Sequence, residues 1–575
     1  MRTVLPWCVL AAALLLPSMP AQAGDHLFDS GFDDATEGPH SDAEAARFLT
    51  QATFGPTLAE IRRLRAIGYH AWLDEQFTLP PSLHRPYLDD LAAAGYDIYH
   101  NHRREVWWTH AVTAPDQLRQ RIAFALSELL VVSDQNGAIE GFPIALANYY
   151  DHLVEGSFGN YRDLLEQVTL SPVMGHYLSM FKNRKPDAEL NIRPDENYAR
   201  EIMQLFSVGL VQLNPDGTPV LAGGERVPTY DQETIRGFAH VFTGWNWANC
   251  PRTDGGLWWQ WEWCPPGGEI EWPNPGWDAG WYLPMEAWEQ YHASEGSKQL
   301  LVYPGVVLPD GVLPAGGTAQ SDLDAALDNI FAHPNVGPFI ARHLIKRLVT
   351  SNPSPAYVGR VAAAFGNNGL GVRGDLEATV RAVLLDTEAR TLAPASANAG
   401  KLREPLLRLS HLWRALDARA DDGRYREWWN DWLGQNPLGS PTVFNFFLPD
   451  YRPPGELSQL GLDAPEFQIT TDTTIASVAN GLGGKVYWHW RGQDGEDPED
   501  VRVNLEPEIP FAADPVRLVD RYDLLFMNRT MSDGMFRTLV DYLRSRPGGN
   551  ADELRDRVQD AVWLIQSSPE YVIER

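Results

Sequence analysis

Apolar residues recur at helical spacing along most of this chain. In residues 117–132, Leu118, Ile122, Ala125, Leu126 and Leu129 fall on one stripe, the 3.6-residue period of a helix that buries one face. The same pattern returns over residues 321–332, 336–349, 357–365, 376–385 and 402–416, and again over 514–526, 531–544 and 552–565. Ser41 to Glu44 reads as a capping box ahead of Arg47-Phe48-Leu49, and residues 57–67 read as a second helix. Asp514 and Pro515 have the order of a cap and a first helical residue. Strand-like alternation is scarce; residues 300–307 and 486–490 are the better candidates, both short. There is no internal repeat at a fixed period. The pattern predicts a mainly α fold, a large multi-helix body with few short strands. Its length exceeds the roughly 250–300 residues that one core usually serves, so two lobes or a body with a large insertion is expected.

The densest chemistry lies in residues 191–245. In RPDENYAREIMQLFSVG, Tyr198, Ile202, Leu205 and Phe206 share an apolar face, with Asn197, Arg200, Glu201 and Gln204 along its flank. Asp195 can cap this helix and Gly209 can end it. In TYDQETIRGFAHVFTGW, Thr229 to Gln232 reads as a capping box and Gly244 as the stop. Its apolar stripe is Ile235, Phe238, Ala239 and Phe242, with Gln232, Arg236 and His240 on another side. Because Arg200 and Glu201 sit beside the stripe, both are expected to be at least partly buried and bonded to groups outside their own helix.

These strings resemble a family of bacterial secreted proteins known as the domain of unknown function 1800 family. Its N-E-N-[YF]-A-R-E signature matches Asp195 through Glu201, with Asp195 in place of the first Asn, and its A-x-x-[FL]-T-G-W matches Ala239 through Trp245. The likeness extends to AARFLTQATFGPT, QLRQRIAFALSELLVVS, GNYRDLLEQVTLSPVMGHYL, HASEGSK and SPTVFNFFLPDYRPPG, and so spans residues 41–573. The resemblance implies an exported protein to which the family assigns no activity. Relatives are often encoded beside a second exported family, which implies a partner protein.

The first 23 residues have the form of a signal peptide: Arg2, an apolar run from Val4 to Met19, and Ala21-Gln22-Ala23, with Gly24 opening the mature chain. No later run reaches the roughly 20 apolar residues that span a bilayer, so a secreted or periplasmic protein without a membrane span is expected. Residues 24–40 are polar and Gly/Asp-rich, a flexible mature N-terminus. Cys250 and Cys264 are the cysteines left after the leader, and an oxidising compartment predicts their disulfide. Closing a loop of about 15 residues stabilises by about 3 kcal/mol in the chain-entropy model. That bond would pin a Trp/Gly/Pro-rich insertion at about 245–320. Residues 245–288 carry ten of the 21 tryptophans, too many for an idle linker. They form either an aromatic platform for stacking on sugar rings, with Trp245, Trp258, Trp259 and Trp261 as its candidates, or a loop packed by its own aromatics.

Net charge is −29, and without a Lys/Arg cluster such a surface repels phosphate backbones, which argues against nucleic acid. There is no G-x-S-x-G elbow, H-E-x-x-H, P-loop, dinucleotide fingerprint or EF-hand. His176, His240, His292, His333 and His343 lack zinc spacing, so no metal site is expected and the cofactor is unknown. The catalytic candidates are Glu201 and Glu196 as acid and base, Arg200, Asn197 and His240; His292 and Lys298 join the tryptophans as ligand-binding candidates. The same cluster reads equally as a buried polar network that locks the helices. Three functions fit: a hydrolase or binder of a glycan or other envelope polymer, a non-catalytic assembly protein acting with a second exported protein, and a metal-dependent enzyme. Mass spectrometry of the exported protein is expected to show an N-terminus near Gly24 and no alkylatable thiol. Two alkylatable thiols would contradict the pairing.

Overall fold

A computed structural model describes residues 38–250, 261–262, 264, 279–392, 400–427, 430–492 and 497–575. The leader, residues 24–37, Trp258 and Trp259 lie outside the described residues. The architecture is mainly α, as the periodicity predicts. Capping follows the sequence: Ser41 accepts from the Glu44 N–H, Thr57 forms a full capping box with Glu60, and Asp514 accepts from the Val516 N–H. Each bond satisfies an N–H that a helix start leaves without a partner. One continuous apolar core runs from Ala45 to Tyr571, with a small satellite at Leu88, Val106 and Ala147.

The Gln117–Ser127 helix lies at the centre and every one of its residues is buried. It packs against the Pro143–Gly156, His100–Thr113 and Val336–Leu348 helices. Burial of a polar group costs free energy unless it is bonded, and this helix meets that condition in part with backbone acceptors, while Arg119 Nε and Arg121 Nε and Nη1 are buried without a hydrogen-bond partner. Gln117 donates to the carbonyls of His110, Ala111 and Ala114, and Arg121 Nη2 donates to the Arg347 carbonyl at 2.7 Å.

Strands are confined to four two-stranded antiparallel pairs among the described residues. Neither expected strand forms where it was placed. Val486 and Tyr487 end the Asp472–Tyr487 helix, where Val478, Leu482 and Val486 are buried at four-residue spacing. Lys298–Gln299 precedes residues 300–307 and pairs with Val312–Leu313. Leu402, expected in a helix, instead pairs in Lys401–Leu402 with Ile573–Glu574; that helix begins at Pro405, whose ring suits the first helical position.

The insertion starts where Trp245–Asn246 pairs with Glu286–Ala287. Cys250 and Cys264 are bonded, with Cα atoms 5.7 Å apart. Trp245 and Trp261 are buried, and Trp261 packs on Tyr291 and Trp288 with ring centroids 4.3 and 5.7 Å apart. Neither ring presents an open face, and Trp261 is packed by aromatics of its own segment.

The Gln232–Val241 helix crosses Lys298–Gln299 so closely that a Cβ on Gly237 would collide with the Gln299 carbonyl. Gly237→Ala should raise intrinsic helix propensity by about 1 kcal/mol. It is nevertheless expected to lower stability by about 1–3 kcal/mol through overpacking. A urea midpoint equal to or above that of the parent protein would contradict this close approach.

Candidate functional site

The two motif helices meet, but not as an open catalytic pair. Asp195 Oδ1 accepts from the Asn197 N–H at 2.7 Å in a local turn, but the residue that caps the Asn197–Gln204 helix is Glu196, which makes no side-chain cap bond, so the expected Asp195 cap is not formed. Glu196 Oε2 accepts from Arg200 Nη2 at 3.2 Å and from Gln232 Nε2 at 2.9 Å, which ties the two helices together. Arg200 therefore pairs one turn back within its own helix and stays partly exposed; the bond outside the helix is not formed. Glu201 is buried, as expected, but its Oε2 has no hydrogen-bond partner. Burial raises its carboxyl above the ordinary value, with Arg200 acting in the opposite sense. The second helix is capped by Asp231, which accepts from the Thr234 N–H, and not by Thr229, whose hydroxyl is buried without a partner. Asp231 immediately precedes the first helical residue, the position from which a side-chain oxygen reaches the free N–H groups.

The remaining candidates lie elsewhere. His240 is eight residues from Gln232 along its helix, about 12 Å at 1.5 Å per residue. Burial lowers its pKa, and Lys298 adds to the effect. His292 and Lys298 are buried on Asp322 Oδ2, at 2.9 and 2.7 Å. The other ring nitrogen of His292 faces the Thr243 carbonyl at 3.1 Å. This His–Asp–Lys set is an internal clamp between the insertion and the Ala319–Ala332 helix.

A cleft of about 110 Å³ opens one turn beyond Glu201, where Gln204 and Leu205 form one wall. Phe339, His343 and Arg347 form a second wall, and residues 443–449 form the lip. Glu128 lies at the floor, directly after the buried Gln117–Ser127 helix. Its Oε1 accepts from Asn445 Nδ2 at 3.3 Å and lies 3.5 Å from Gln435 Nε2. Its Oε2 is 3.4 Å from Arg347 Nε, an ion-pair distance, yet is buried without a hydrogen bond. The Arg347 guanidinium stacks over Phe447 at 4.5 Å.

Behind the floor lies a cluster of buried charges. Gln435 Nε2 donates to Glu404 Oε2 at 2.6 Å, and Lys401 Nζ lies 3.6 Å from Glu404 and 3.5 Å from Glu466. Lys401 and Arg121 both donate to the Arg347 carbonyl. Burial raises the Glu128 pKa to about 8, with Arg347 opposing and Glu404 adding to the rise. For Glu404 burial acts upward too, but Lys401, Arg347 and Arg121 outweigh it and hold this carboxyl below its ordinary value. Glu128 thus keeps its proton near neutral pH beside an ionised Glu404.

A larger cleft of about 360 Å³ lies at Trp413 and Tyr425, but its charged groups are engaged with one another or with backbone. Arg414 bonds Glu60 and the carbonyls of Gly55 and Val112, and Asp417 pairs with Arg419. Volume favours that cleft, whereas chemistry favours the Glu128 cleft, where a carboxyl oxygen remains unbonded. Neither is lined by Glu196, Glu201, His240, Trp245 or Trp261.

The family model described as protein of unknown function (DUF1800) matches residues 47–573. The chain belongs to the DUF1800 family. No curated protein and no solved structure matches it. Sequence reasoning passed over Glu128, Arg347 and Asn445. The available signal was Glu128 itself, the lone charge in AFALSELLVVS, since an acid inside an apolar run is either paired or functional.

A carboxyl that holds its proton in the folded state, and has lost it in the unfolded state, makes folding less favourable as pH rises. For Glu128 that loss develops between its ordinary value of 4.5 and about 8. Glu128→Gln is expected to flatten the fall in stability across this window in unfolding measured at a series of pH values. An unchanged pH slope would contradict the assignment.

Proposed function

We propose that this DUF1800 protein is exported through the leader at residues 1–23 and binds a glycan chain of the envelope or surroundings in the Glu128 cleft. Glu128 acts as the general acid that protonates the leaving oxygen. Water entering from the mouth attacks the anomeric carbon and releases its proton to solvent as the bond to the leaving oxygen breaks. The observation that carries this reading is the Glu128 Oε2, buried at the floor of an apolar cleft without a hydrogen-bond donor. Sites of this kind, mostly apolar with a few convergent polar groups and a shifted pKa, are the usual places of binding and chemistry. Arg347 and Asn445 orient Glu128, while Glu196, Arg200 and Gln232 hold the wall helix in place.

A second reading is favoured by the lip, where Phe444 and Leu448 are 43% and 38% exposed. Large apolar side chains at a mouth suit a second exported protein as well as a sugar face.

The test is a binding and cleavage screen of the mature protein against envelope and plant-type polysaccharides. Loss of a general acid lowers rate by about 10²–10⁴-fold. Glu128→Gln is expected to show that loss while it keeps binding, whereas Glu201→Gln, outside the cleft lining, is expected to cleave near the parent rate. Cleavage at the parent rate by Glu128→Gln would overturn the catalytic assignment. Stable capture of a neighbouring exported protein, with no glycan bound, would favour the assembly reading.

A further inference from the structure

The Val336–Leu348 helix that forms one wall of the cleft also carries a concentration of positive charge at its edge. His343 and Arg347 face the cleft, and the adjacent positions Arg342 and Lys346 turn to Asp463. Arg342 Nη2 and Lys346 Nζ reach Asp463 Oδ2 at 3.0 and 2.5 Å, and Arg452 Nε reaches Oδ1 at 2.7 Å. Lys346 also donates to the carbonyl of Pro449, a residue of the cleft lip, which fixes this trio at the rim.

Three cations therefore share one buried carboxylate. Asp450, exposed on the same loop, adds a second negative charge. One positive charge remains in excess, on a protein whose net charge is −29. The excess is accessible, because the Arg342 and Arg452 side chains are 40% and 44% exposed. Each donates one N–H to Asp463, and the rest of each guanidinium fork is left for another oxyanion. The positive groups also strain against one another. Burial lowers the Lys346 pKa to about 8, and the neighbouring Arg342 is the next cause. An anion at this edge would relieve that repulsion.

We propose that the cleft takes an acidic glycan, and that Arg342 and Arg452 form the subsite that recognises a sugar oxyanion at the rim. This rests on the reading of the Glu128 cleft as the glycan site. A guanidinium fork matches carboxylate and sulfate geometry with two parallel bonds, whereas a hydroxyl of a neutral sugar offers no comparable partner. The subsite would hold one charged unit while the neutral part of the next sugar lies across Phe444 and Leu448.

The test is binding of oligogalacturonate, its methyl ester and a sulfated carrageenan oligomer to the mature protein at low and moderate salt. The parent protein is expected to bind at least one charged oligomer about tenfold or more tighter than the ester, consistent with one charge-assisted bond. The preference should shrink as salt rises. Which charged oligomer wins tells carboxylate from sulfate. In the double variant Arg342→Gln/Arg452→Gln the preference should collapse while ester binding is kept; the double Lys variant, which preserves charge, should retain a part of it. Equal binding of ester and charged oligomers by the parent protein, no binding of either charged oligomer, or a preference that survives in the double Gln variant would each overturn the proposal. Phe444→Ser separates the underlying reading: if charged oligomers bind as tightly to that variant as to the parent, the Glu128 cleft is not the glycan site, whatever the charge preference.

Discussion

The structure depends on placing charge in the core and neutralising it there. Arg121, Arg347 and Lys401 meet Glu128, Glu404 and Glu466 at the junction of segments that lie far apart in the sequence, and all six are buried. Removing Glu404 from such a group leaves uncompensated buried positive charge and costs about 3–5 kcal/mol. The Arg347 carbonyl ties the cluster together, since it accepts from both Arg121 and Lys401. A backbone carbonyl at a helix end is free for this because it has no partner within the helix. The last turn of the Val336–Leu348 helix is thereby fixed against the central helix, and the cleft walls are fixed with it.

The balance within the cluster is uneven, and that gives the cleft its chemistry. Glu404 is fully buried and has Gln435, Lys401 and the nearby arginines to hold its charge. Glu128, nearer the opening, has Arg347 at a poorer geometry and the weaker donors Asn445 and Gln435. Two carboxyl groups in contact with one another cannot both ionise at little cost, so the better-served one takes the charge and the other keeps its proton. Glu196 and Glu201 differ in their donors. Glu196 has two donors, whereas Glu201, one turn from the cleft, has a buried oxygen without any.

Most of the fold was legible in the sequence because helix-forming stripes and caps are local signals. The Leu376–Leu385 helix falls where the pattern put it, and Asp514 caps the helix it announces. The exceptions share a cause. The Gln117–Ser127 helix is buried all round, so its stripe marks no outer face, and the expected extension to Val132 gives way at Glu128, where the chain turns into the cleft floor. Lys401–Leu402 looks helical until its partner strand, some 170 residues later, is known. The candidate site suffered more, since periodicity tells which residues share a helix face but not what lies opposite. Glu196 bonds Arg200 and Gln232, whereas the buried Oε2 of Glu201 has no partner. His240, His292 and Lys298 were drawn into that group only by chemical type; the fold sends His292 and Lys298 to a separate buried clamp on Asp322 and leaves His240 half-buried near the end of its own helix. Glu128, Arg347 and Asn445 come from three distant segments, and no spacing rule links them.

The pairing of Lys401–Leu402 with Ile573–Glu574 also bears on the order of events in time. Thr50 bonds Asn528 across 478 positions, and Arg403 donates to the Tyr571 carbonyl across 168. Contacts between such remote segments must wait for large loops to close, and chains dominated by them acquire native structure slowly. The Lys401–Leu402 strand has no partner until the 573–574 segment has docked. A nascent chain would therefore hold its early helices without a finished core, with arginines and glutamates still hydrated. Completion of the fold therefore falls to its most remote contacts rather than to its local helices.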